Sequence, residues 1–160
     1  MGHTIYTVGH GTVTFAELAE LMADHRIDTI VDIRSQPHSS RAPDFTKRSL
    51  ERLAPVAGLG YRWLGRALGG RPTDPALSKA DGTVDWTVVR ATDEFQAALG
   101  VVERLAADGR VVLLCAESDP AHCHRSGAVA EDLGDRGHDV VHLLWDGGQR
   151  PHHRRLDFDT

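Results

Sequence analysis

The run Val111-Val112-Leu113-Leu114-Cys115 is apolar at every position. A strand with one wetted face alternates apolar and polar residues, so an unbroken run belongs to a strand covered on both sides, as in a parallel sheet flanked by helices. Upstream, Trp86, Val89, Phe95, Leu99, Val102 and Leu105 recur at helical spacing, and Gly109 closes that segment. Downstream, Asp119 is placed to cap a first turn and Pro120 to occupy the first helical position. Together they predict a helix to about Leu133, ended by Gly134 and Gly137.

The rest of the chain repeats this alternation. IYTVG (Ile5 to Gly9) reads as a strand, and Thr14 with Glu17 forms a capping box for a helix to about His25. TIVDIR (Thr29 to Arg34) is the second strand, Thr46 caps a helix ending near Gly58, and Tyr61 to Leu64 is the third strand. VVHLL (Val140 to Leu144) is the last. Ser35 to Asp44 is a loop, and Gly65 to Thr83 is too rich in glycine and proline for regular structure, which makes it a candidate lid. Strands alternating with helices predict a single α/β domain over residues 1–160. Its expected form is three α/β/α layers on a mainly parallel sheet of about five strands, rhodanese-like or flavodoxin-like, with a polar tail from about residue 147.

The 160 residues, 41% of them hydrophobic, suffice for one core without disulfides or structural metals. No apolar run approaches the roughly 20 residues that cross a bilayer, and the amino terminus lacks a signal pattern, so a cytoplasmic protein without membrane partners is expected. The net charge of −5 argues against a grip on duplex DNA by phosphate neutralisation. Of the ten histidines, four fall between Gly137 and Arg155, where they read as a solvated tail.

In open parallel sheets ligands bind outside the carboxyl ends of the strands. Four of the five predicted strands deliver polar residues there: His10, then Asp32, Arg34 and Arg41, then Cys115 and Glu117, and finally Asp146. CAESDPAHCHR (Cys115 to Arg125) is the densest segment, and a helix amino terminus beside His122, His124 and Arg125 would favour the thiolate of Cys123. Cys115 equally suits a buried strand position. His10 suits proton transfer, Glu117 can carry a proton, Arg34 suits recognition of a carboxylate or phosphate, and Asp32 can hold it. Tyr61 lies on the third strand, and Gly69 and Gly70 would let a loop approach a ligand. A metal is the competing use of Cys115, Cys123, His10 and His124, a donor set suited to zinc or iron.

YTVGHG, VDIRSQPHSS, YRWLGRALGGRP and LLCAESDPAHCHR, in that order, resemble the bacterial DUF488 family over nearly the whole chain. That resemblance implies shared positions at His10, Asp32, Arg34, Pro37, Ser39, Tyr61, Leu68, Gly69, Gly70, Cys115, Glu117, Cys123, His124 and Arg125, and implies no reaction. VDIR, VVLLC and VVHLLWDGG are more faintly similar to rhodanese-like sulfurtransferases, although nine residues separate Cys115 from Arg125, more than that family's tight anion loop.

The expected function is a small transferase or hydrolase for an anionic small molecule or nucleotide-like group. Arg34 and Arg125, with Asp32, Ser39, Arg41, Tyr61, Gly69 and Gly70, would hold the ligand. Cys123 or Cys115 would be the nucleophile, and His10, His124 or Glu117 the proton carrier. The alternatives are a zinc or iron metalloprotein and a non-catalytic sensor of nucleotide or nucleic acid using the basic loop from His38 to Arg48.

Overall fold

The computed structural model describes residues 2–38, 41–69, 78–82, 84–119 and 124–152, with only the backbone described at 124–127. Strands β1 (Thr4–Gly9), β2 (Thr29–Asp32), β3 (Gly60–Trp63), β4 (Val111–Cys115) and β5 (Asp139–Leu143) run parallel in the order β3-β2-β4-β1-β5. A sixth strand, β6 (Gln149–Pro151), adds antiparallel to β5.

Helices cover both faces. On one, α1 (Phe15–Asp24) and α2 (Lys47–Val56) bury Leu18, Met22, Leu50 and Ala54 against Ile30, Val112 and Leu114. On the other, Phe95, Leu99 and Val102 of α5 (Asp93–Asp108) and Val129 and Leu133 of α6 (His124–Asp135) pack on Val31, Leu113 and Cys115. The apolar run of β4 supplies both cores, its alternate residues pointing to opposite faces. The architecture is the expected three-layer α/β/α sandwich. Its strand order differs from the flavodoxin order 2-1-3-4-5.

Local chemistry sets the boundaries. The Thr14 side chain accepts from the Glu17 amide while the Glu17 carboxylate accepts from the Thr14 amide, so the capping box forms. The segment expected as one helix before Gly109 is two, α4 (Trp86–Arg90) and α5, because Thr92 caps the second through the Phe95 amide. Strand β2 stops at Asp32 instead of Arg34, since the Asp32 carboxylate takes the Arg34 amide at 3.1 Å. Within the candidate lid, Gly65–Leu68 forms a short helix, α3, that places Leu68 in the core. At the start of the polar tail, Asp146 to Gly148 form a turn with Gly147 at φ +90°, which folds Gln149–Pro151 back as the exposed edge strand β6.

Connections β1-α1 and β2-α2 cross the first face, whereas β4-α6 crosses the second. Since β4 lies between β1 and β2, the direction of winding reverses on both of its sides. The crevices expected of such a reversal flank the end of β4.

Candidate anion site at the carboxyl edge

Asp32 is the last residue of β2, fully buried, and Arg34 is two residues on and 3% exposed. Two charges this deep require close pairing. Arg34 Nε donates to Asp32 Oδ1 at 2.8 Å and Nη2 donates to Oδ2 at 2.7 Å, a bidentate fork that fixes the plane of the guanidinium. The Tyr61 hydroxyl, from β3, donates to Asp32 Oδ2 at 2.6 Å. Burial, and then the Asp32 carboxylate, push the Tyr61 phenol well above its ordinary range, so it stays a donor.

His10 enters this network from the far side of β4. Its Nε2 lies 3.2 Å from Arg34 Nη1 and its Nδ1 lies 2.9 Å from the Gly11 carbonyl. A carbonyl only accepts and a guanidinium only donates, so a neutral ring with its proton on Nδ1 satisfies both contacts. The ring stacks on Phe45 at 4.6 Å between centroids and 6° between planes. Arg34 and His10 thus join across the end of β4, where the His10 amide also donates to the Cys115 carbonyl.

Cys115 is buried, 3% exposed, and its Sγ donates to the Glu117 carbonyl at 3.5 Å. Alternation along β4 turns Cys115 to the α5/α6 face, while His10 rests on Phe45 of the α1/α2 core. The two therefore sit on opposite sides of the sheet edge. The Glu117 side chain is exposed, and its carbonyl presses over Gly9, where any Cβ would collide with it. Gly69 serves packing similarly: a Cβ there would strike the Ser35 hydroxyl and amide. Arg41 is exposed. Ser39, Gly70 and Cys123 lie outside the described residues, as do the side chains of His124 and Arg125 and the remainder of the lid, 70–77 and 83. Among the described residues no three His, Cys, Asp or Glu side chains group to hold a metal, and no helix is long and apolar enough to cross a membrane.

A family model described as a domain of unknown function, DUF488, matches residues 14–131. The chain belongs to the DUF488 family. No curated protein and no solved structure matches it. The DUF488 match spans Asp32, Arg34, Tyr61, Cys115 and the β4-α6 loop, while His10, β5 and β6 lie beyond it.

Some structural partners escaped sequence reading. Trp63 Nε1 donates to the Arg34 carbonyl at 2.8 Å and Trp145 Nε1 to the Gly9 carbonyl at 2.7 Å, each fixing a strand end of the site. Tryptophans bracketing the strands carried no pattern of their own. Two of the histidines expected in a solvated tail are buried instead: His138 and His142 are 8% and 5% exposed. His142 Nδ1 meets the Thr7 hydroxyl at 2.5 Å, its Nε2 meets His152 Nδ1 at 3.1 Å, and His152 Nε2 meets Glu131 at 3.0 Å. The period-two placement of His142 between Val141 and Leu143 in a strand was the available signal.

Proposed function

We propose that this DUF488 protein is an enzyme acting on a small anionic group, phosphate or carboxylate, bound at the end of β4. One observation carries the reading: Arg34 is a pre-oriented guanidinium at a reversal of winding. Asp32 and His10 engage three of its five N–H groups, so an Nη1 and an Nη2 proton remain for a ligand. Asp32 cancels the charge of Arg34, so the site selects by fork geometry more than by net field. The thiol role falls to Cys123, next to the start of α6, because Cys115 is committed to the Glu117 carbonyl. Arg125 supplies the second cation, and His124 the proton acceptor for the Cys123 thiol.

Titration calorimetry with inorganic phosphate and with adenosine monophosphate tests the site. Binding is expected in the parent protein and absent in the charge-free pair Asp32→Asn with Arg34→Gln, which avoids stranding a buried charge. Equal binding in both ends the proposal. Iodoacetamide labelling followed by mass spectrometry should modify Cys123 well before Cys115. A stoichiometric zinc or iron, lost on Cys123→Ser in protein purified without a histidine tag, would replace the thiol mechanism with the metalloprotein reading.

A further inference from the structure

The chain is acidic as a whole, yet its charge is divided. Residues 35–69 hold six Lys and Arg against two Asp and Glu, net +4, so the other residues, of a chain at −5, carry −9. Within this basic segment both acids are already engaged. Asp44 accepts from the Phe15 amide at 3.0 Å, and Glu51 pairs with Lys47 at 3.5 Å. Arg66 pairs with Glu94, whereas Arg41, Arg48, Arg52 and Arg62 are exposed and have no acidic partner among the described residues.

Two of these arginines share one side of α2. Leu50 and Ala54 turn one side of α2 into the core, and at 100° per residue Arg48 and Arg52 fall on the opposite side, one turn apart. At the start of the same helix the Lys47 amide donates to the Pro37 carbonyl and the Ser49 hydroxyl to the Pro43 carbonyl. Lys47 lies over the Trp63 ring at 5.4 Å, and Trp63 in turn holds the Arg34 carbonyl, so the ridge ends beside the candidate site.

We propose that this ridge along α2 is a docking surface for single-stranded nucleic acid. Charge complementarity selects a polyanion, since unpaired arginines outward on an otherwise acidic protein attract closely spaced phosphates. A flexible single strand can follow a ridge of about 15 Å, the length of a ten-residue helix, whereas a duplex would bring its phosphates against the acidic remainder. A membrane is disfavoured because the apolar side of α2 is spent on the core. This inference rests on α2 and stands independently of the anion site.

Fluorescence anisotropy of a labelled 15-nucleotide oligothymidylate with the full chain tests it. Three or four phosphate contacts imply a loss of affinity of about 20- to 50-fold between 50 and 200 mM salt. Arg48→Glu with Arg52→Glu should weaken binding at least about 10-fold at 50 mM salt and flatten the salt dependence, while the exposed control Arg104→Glu changes neither. Arg48→Gln with Arg52→Gln should weaken binding to an intermediate degree. The proposal is overturned by absence of binding at 50 mM salt, or by charge reversal without effect in protein of unchanged circular dichroism. Polyglutamate displacing the oligonucleotide at equal charge concentration would reassign the ridge to an acidic protein. Sedimentation with phosphatidylserine vesicles but no oligonucleotide binding would reassign it to a membrane.

Discussion

Two buried polar networks lie on opposite faces of one sheet, and they solve the same desolvation problem differently. At the carboxyl edge, on the α1/α2 side, His10, Arg34, Asp32 and Tyr61 surround an ion pair. On the α5/α6 side, Thr7, His142, His152 and Glu131 form a file whose buried end holds a hydroxyl and an imidazole, with its carboxylate at the outer end. A network built on opposite charges is most sensitive to losing one of them, whereas a network with a neutral imidazole at its buried end is most sensitive to gaining a proton there. The position of the carboxylate, not the number of histidines, makes the difference.

The largest effect should come from breaking the ion pair. Asp32→Ala leaves Arg34 charged at 3% exposure, with the fork and the Tyr61 contact both gone. Urea denaturation at neutral pH should show a loss of about 3–5 kcal/mol. Replacing both partners, Asp32→Asn with Arg34→Gln, should cost clearly less than Asp32→Ala alone. An equal or larger cost would mean that the pair is not the element that holds this network.

Protonation should break the other network. Burial, reinforced by His152 and Arg150, pushes the His142 imidazole down to about 4 from an ordinary value of 6.5. The unfolded chain then binds the proton more readily than the folded one. The stabilisation is accordingly complete above about pH 6.5 and disappears as pH falls through that value toward 4. Between pH 7 and pH 4.5 the loss from this group is about 2–3 kcal/mol. In His142→Gln the difference between the two pH values should shrink by about that amount, and a pH dependence identical to that of the parent would remove His142 from the account.

What the sequence revealed depended on whether the signal was periodic or pairwise. The all-apolar VVLLC and the Thr14/Glu17 box are local patterns, and strand and helix formed where they predict. The sheet-edge rule gathered His10, Asp32 and Arg34 from two strand ends, because alternating βα units always bring those ends together. Orientation was not legible. Nothing local says that Cys115 points to the face opposite His10, since that depends on the register Gly9 to Cys115 between strands far apart in sequence. The histidines after Gly137 were misread because β6 looks polar, a property of its exposed edge position that conceals the buried His142 beside it. Net charge, an average over the whole chain, does not show that residues 35–69 alone carry +4.

The smaller predictions measure how charge changes the worth of a single hydrogen bond. Tyr61→Phe removes a hydroxyl donated to a carboxylate at 2.6 Å and should cost about 2 kcal/mol by urea denaturation. Thr7→Val removes a more deeply buried hydroxyl from a neutral imidazole and should cost about 1 kcal/mol at pH 7. The valine fills nearly the same volume, so packing changes little and the lost contact to His142 dominates. The ordering carries the test: the charged partner must make the Tyr61 bond the stronger one. If Thr7→Val costs as much as Tyr61→Phe, the His142 file has a charge at its buried end, and the contrast between the two networks collapses.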